Sequence, residues 1–231
     1  MGIISFFKPG STFCMILLIS FRMISLDAQD KSEILSPHYV FPRFGKGTVL
    51  MKDGRIQEAV MDYNKLSEEM VFEKGEQRLA MVHLETIDTV FLGGRKFIPH
   101  ENVFYEVLVS GKVSLLVRHK SNLLPAGTPA GYGGTSETAA VTSISTLVSS
   151  GNLYKLSLPG EYHISDATQF WIKRDGTEIR VGNERQFLKI VTEKREEIKD
   201  FISRNKLDLK KQEDLIRIVA RWNVLLREKN D

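Results

Sequence analysis

Thr48-Val49-Leu50-Met51-Lys52-Asp53-Gly54-Arg55-Ile56-Gln57-Glu58-Ala59-Val60-Met61 is the stretch that decides the fold class. Two β-capable runs flank Asp-Gly, a pair whose residues tolerate the backbone of a tight hairpin turn. The pattern repeats downstream. Glu69 to Glu73 is followed by a turn at Lys74-Gly75 and then Gln77 to His83, and Ile87 to Leu92 is followed by Gly93-Gly94 and Arg95 to Ile98. Asn102 to Val109, the turn Ser110-Gly111 and Lys112 to His119 continue the series. Met70 and Phe72, Leu79 and Met81, and Val113, Leu115 and Val117 recur at a spacing of two, the period of a strand with one buried face. Short turns make neighbouring strands antiparallel. β signals resume at Leu153 to Leu158, at Gln169 to Lys173 and, after an Asp175-Gly176 turn, at Glu178 to Val181.

The texture changes in two places. From Lys120 to Ser150 the chain is a Gly/Pro-rich and then Ser/Thr-rich insertion, read as a flexible loop. From Asn183 onward the period becomes helical. Asn183 with Gln186 predicts a capped start, and Phe187, Ile190, Val191, Ile198, Phe201 and Ile202 fall on one face. Asn205 to Leu209 interrupts the pattern, and a second helix from about Lys210 carries Leu215, Ile218, Val219, Trp222 and Leu225. The fold expected is α+β: an antiparallel, meander-type β-sheet or sandwich over 45–181, closed by a C-terminal αα-hairpin over 183–227 that packs on the sheet.

The 231 residues are 42% apolar with a net charge of +3, enough for an ordinary core and too evenly charged to suggest nucleic acid. The chain opens with Lys8 as its first charge, runs through Phe13 to Phe21, and reaches Leu26-Asp27-Ala28. That layout predicts a signal peptide over 1–28 cleaved after Ala28, because the apolar run falls short of the roughly 20 residues that a membrane-crossing helix needs. Cys14 lies inside that segment, so the exported chain is expected to have no thiol chemistry. Residues 29–44, with Pro37 and Pro42, read as an extended lead-in.

Met61-Asp62-Tyr63-Asn64 with Glu69-Met70-Val71-Phe72, Ile87-Asp88-Thr89-Val90, Gly94-Arg95-Lys96-Phe97-Ile98, Tyr105-Glu106-Val107-Leu108, Gly111 to Leu116, and Glu213 to Val219 with Trp222-Asn223 together resemble a family of exported Bacteroidota proteins. Its members have a β-rich domain and a C-terminal helical hairpin. The resemblance covers nearly the whole mature chain, implies an envelope or secreted location and a shared fold, and carries over no active site. This chain departs from the pattern at Arg221-Trp222 and in the length of its insertion.

Motifs of known chemistry are sparse. His38, His83, His100, His119 and His163 are scattered singly, without the paired spacing of a zinc site. There is no Gly-x-Ser-x-Gly elbow, and Gly131-Tyr132-Gly133-Gly134 lacks the lysine of a phosphate loop. Asp62-Tyr63-Asn64 reads as structural, since successive strand residues face opposite ways and asparagine suits a turn. The function expected is a non-enzymatic exported binding or interaction module of the bacterial envelope. The alternative is a carrier of an apolar ligand with a cavity lined by Phe72, Phe91, Phe97 and Phe104, and a hydrolase with a dispersed site comes third. Tyr132 and Trp222 complete the candidate contacts. No metal or cofactor is expected. The partner is an envelope protein or an apolar ligand, and not nucleic acid, with peripheral membrane contact left open. The location expected is the periplasm, the outer-membrane periphery or the exterior.

Overall fold

The Asp53-Gly54 turn forms as the sequence reads: Gly54 takes φ +86° and Asp53 Oδ1 accepts from Arg55 N–H at 3.0 Å, joining β1 (Gly45–Met51) to β2 (Ile56–Asn64). The computed structural model describes residues 38–125, 128–130, 134–136 and 162–228. The expected signal segment, residues 29–37 of the lead-in and Tyr132 lie outside them, as does most of the insertion. No described helix is long and apolar enough to cross a membrane.

β3 (Glu69–Lys74), β4 (Gln77–Ala80), β5 (Ile87–Leu92), β6 (Arg95–His100), β7 (Val103–Val109) and β8 (Val113–Arg118) follow, and β13 (Gln169–Arg174) and β14 (Thr177–Arg180) complete one ten-stranded antiparallel sheet. Its order is β14-β13-β8-β7-β6-β5-β1-β2-β3-β4. The sheet is a meander with one break, and among the described residues it is open rather than a sandwich. Residues 81–86 carry the chain from the edge strand β4 back past β1–β3 to β5 beside β1, with a short 3₁₀ turn at Leu84–Thr86. Met81 and Leu84 of this crossover pack on the core, so it runs over the inner face of the sheet.

Directly paired residues share a face, so Val90↔Phe97↔Glu106↔Val117↔Phe170 forms one row across five strands. Both cores lie on that face. At one end the sheet, bent by irregularities at Leu50/Met51 and at Val107/Val109, curls around Val49, Met61, Tyr63, Met70, Leu92, Phe97 and Phe104. At the other end Val113, Leu115 and Ile172 pack against helices. β8 and β13 are extended beyond a break by the paired strands β9 (Ser121–Pro125) and β12 (Tyr162–Asp166), and β10 (Thr128–Ala130) and β11 (Gly134–Ser136) form a small hairpin. The first residues of the expected loop are therefore strand.

Where two C-terminal helices were expected there are three: α1 (Glu184–Ile190), α2 (Arg195–Asn205) and α3 (Gln212–Arg227). The Asn183–Gln186 capping box forms in both directions. The expected first helix breaks at 191–194, where Arg174 of β13 reaches Thr192 Oγ1 at 3.1 Å and Glu193 at 2.7 Å, and Lys194 turns left-handed at φ +63°. β-branched Val191 and Thr192 hold the helix there weakly, and the tie to the sheet wins. α2 and α3 form the hairpin, and Ile198, Ile202, Leu215, Ile218, Val219, Trp222 and Leu226 face the sheet.

Candidate functional site

Under the crossover, the inner face of β1–β4 is left partly uncovered as an open groove of about 810 Å³. Val49 and Met51 of β1, Ala59 of β2, Phe72 of β3 and Leu79 of β4 line its sheet side, and Met81, Val82 and Ile87 line the crossover side. Gln57, Glu58, Glu73, Lys74 and Arg78 supply its polar lining. Ala59, a small residue opposite Gly47, keeps the floor low. A Cβ on Gly47 would stand 2.8 Å from Met61 Sδ, so the Met61 chain already fills what space glycine leaves. Val82 is 70% and Leu79 37% exposed, which makes the groove the place where large apolar side chains meet solvent together.

Only part of the expected aromatic cavity assembles. Phe72 lines the groove. Phe97 and Phe104 are fully buried in the core, and Phe91, opposite Thr48 and Lys96, points to the other face and is 45% exposed. The physical reason is strand parity: Phe91 follows Val90, and successive residues alternate faces. Trp222 is fully buried between Phe187 and the Arg174 guanidinium, which lies 5.6 Å from its ring centre, so it belongs to the helical core.

Two polar clusters flank the groove's core. Glu106, buried on β7, accepts from His119 Nε2 at 2.6 Å and lies 3.4 Å from Arg95. Tyr63 and Phe97 stand beside His119 at 6.3 and 6.4 Å between ring centres. The second cluster forms where lead-in residues 38–44 strap over the end of β2. Val40 N–H donates to Tyr63 O at 3.0 Å, Lys65 N–H to His38 O at 2.7 Å, and Phe41 N–H to Asp62 Oδ1 at 3.2 Å. Asn64 Oδ1 accepts from Leu66 and Ser67 N–H, the turn-forming role its sequence position predicts. Asp62 faces the strap and Tyr63 the core, on opposite sides of β2, as the strand period requires. Burial pushes the Asp62 carboxyl up to about 7, the His38 imidazole down to about 4 and the Tyr39 phenol up to about 12. Burial also raises the Tyr63 phenol.

His100 stacks on Tyr105 with ring centres 4.5 Å apart and meets Glu178 at 3.2 Å. Among the described residues no three His, Cys, Asp or Glu side chains converge as metal ligands. No family model, curated protein or solved structure matches the chain. The groove residues Met51, Ala59, Lys74 and Met81 were not among the candidate contacts named from the sequence, where Met81 was read as a strand residue and Lys74 as part of a turn. A signal for them existed in the recurrence of methionine at Met51, Met61, Met70 and Met81, since methionine fills adaptable apolar surfaces.

Proposed function

We propose that this protein is a non-enzymatic binding module of the bacterial envelope and that the groove under the 81–86 crossover is its binding element, taking an apolar ligand. The observation that carries this reading is the groove itself: about 810 Å³ walled by Val49, Met51, Ala59, Phe72, Leu79, Met81, Val82 and Ile87, with polar residues beside them. That volume falls within the roughly 300–1,000 Å³ of small-ligand sites, and apolar walls with a few polar groups are their usual composition. Export rests on the Met1–Ala28 layout and on the resemblance to exported proteins.

The test is fluorescence titration of the purified chain with the neutral dye N-phenyl-1-naphthylamine, alongside native mass spectrometry and organic extraction. The dye is expected to bind, and Ala59→Phe, which raises the groove floor, to abolish binding while the urea midpoint stays near that of the parent. A dye that does not bind, or that binds Ala59→Phe equally well, would overturn the reading.

A further inference from the structure

The β1–β4 register sorts the groove's side chains by face. Gln57 stands opposite Val49, Phe72 opposite Met61, Leu79 opposite Phe72, and Gln77 opposite Lys74, so all of these share the concave face with the core. Glu58, Glu73 and Arg78 occupy the alternate positions, and Glu73 and Arg78 engage each other at 3.3 Å. Arg78 also lies over the Phe44 ring of the strap, 4.6 Å from its centre. Of the four charged residues that line the groove, Glu58, Glu73, Lys74 and Arg78, Lys74 alone stands in register with the concave face. Lys74 is exposed and makes no ion pair with the described residues. The Gln57 amide is its polar companion, at the same end of the strands.

An apolar trough with one unpaired cation at its end has the charge pattern of a site for an amphiphile whose head is anionic. We infer that the groove takes a single-chain amphiphile with a terminal carboxylate. Its chain lies over Val49, Phe72, Leu79 and Met81, and its head group meets the Lys74 ammonium, with the Gln57 amide beside it. This inference rests on the apolar-ligand reading of the groove. From Val49 on β1 to Lys74 on β3 the ligand crosses two inter-strand spacings, about 10 Å. Each further methylene it buries tightens binding about fourfold. The ammonium selects the head group, because a neutral head of the same chain length gains no Coulomb attraction there.

Displacement of N-phenyl-1-naphthylamine from the purified full chain by dodecanoate, dodecanol and dodecyl phosphate, each below its micelle concentration, tests this. Dodecanoate is expected to bind about fivefold more tightly than dodecanol, the upper end for an exposed ion pair. That preference is expected to shrink in high salt. Lys74→Gln brings dodecanoate to the affinity of dodecanol, Lys74→Arg keeps the preference, and Lys96→Gln on the opposite face of the sheet leaves it intact. Equal binding of dodecanoate and dodecanol by the parent chain, or a preference that survives Lys74→Gln, would overturn the inference while leaving the groove a binding site. Tighter binding of dodecyl phosphate than of dodecanoate would overturn the carboxylate assignment. Failure of both dye and dodecanol to bind would instead overturn the apolar-ligand reading beneath it.

Discussion

Asp62 is fully buried, with Oδ1 accepting from Phe41 and Tyr63 N–H; among the described residues Oδ2 has no partner and neither ring nitrogen of buried His38 is hydrogen-bonded. Burial therefore disfavours the charged form of both, and their effects on stability run in opposite directions. Asp62 ionises at about 7 in the fold against an ordinary 3.8, so between these values the folded chain holds a proton that the unfolded chain has lost. Its contribution falls as pH rises through that window. His38 titrates at about 4 against an ordinary 6.5, so between those values the unfolded chain holds the extra proton and stability rises with pH. Lys65 and Arg78 add to the His38 shift. From pH 4 to 6.5 the two slopes oppose each other, and the urea midpoint of the parent chain is expected to be nearly flat. Asp62→Asn removes the falling term and leaves a stability that climbs with pH across the same window. A flat profile in Asp62→Asn, measured by urea titration at half-unit steps, would contradict this balance.

The docking of α3 turns on one amide. Asn223 Oδ1 accepts from Val113 N–H at 3.0 Å, and its Nδ2 donates to Val113 O at 2.7 Å and to Val219 O at 3.1 Å. The side chain thus acts as an extra strand residue for the start of β8. The fit is close: a Cβ on Gly111 would stand 2.5 Å from Asn223 Oδ1, which explains why the β7–β8 turn needs glycine there. Asn223→Ala strands a buried donor and a buried acceptor on Val113, and a loss of about 2–3 kcal/mol is expected in urea or thermal unfolding. A loss below about 0.5 kcal/mol would mean that water replaces the amide. The same helix buries Leu215, Ile218, Val219, Trp222 and Leu226, so the amide sets register while apolar area supplies most of the attraction.

At the scale of the molecule, the curl of the sheet is held where β8 ends. Glu68, in the β2–β3 turn at φ +58°, takes both Arg118 Nε and Nη2 and lies 3.2 Å from Lys120, while Ser121 N–H donates to Lys65 O at 2.9 Å. Arg118, Lys120 and Ser121 thus fasten the end of β8 to a turn whose strands are far from it in the sheet order, while His119 between them holds Glu106 of the neighbouring β7. The forked Arg118 pair is directional and partly shielded, so it outweighs an ordinary surface pair. Glu68→Ala is expected to cost about 2 kcal/mol and to raise hydrogen exchange at Ser121 and Lys65 ahead of the helices. Uniform exchange over the whole chain would show that the curl does not open separately.

The hairpins at Asp53-Gly54 and Asp175-Gly176, the two-residue period of β2, β3 and β8, and the Asn183 cap were legible because they depend on residues within a few positions of one another. So were the opposite faces of Asp62 and Tyr63. The break in the meander, which sends β5 beside β1, was not legible, because nothing local to 81–86 distinguishes a crossover from another hairpin. Nor was the division of the first helix, which depends on Arg174, a residue from a different element. Of the candidate site, Phe72 was named and Lys74 was not. Sequence alone determined the α+β class, the antiparallel pairing and the helical C-terminus, because local backbone preference and side-chain periodicity act along the chain. Tertiary structure decided that Phe97 and Phe104 became core, that the inner face of β1–β4 around Ala59 was left as a trough, and that one lysine came to stand at its end. Those outcomes depend on how far the sheet curls and on what crosses its face.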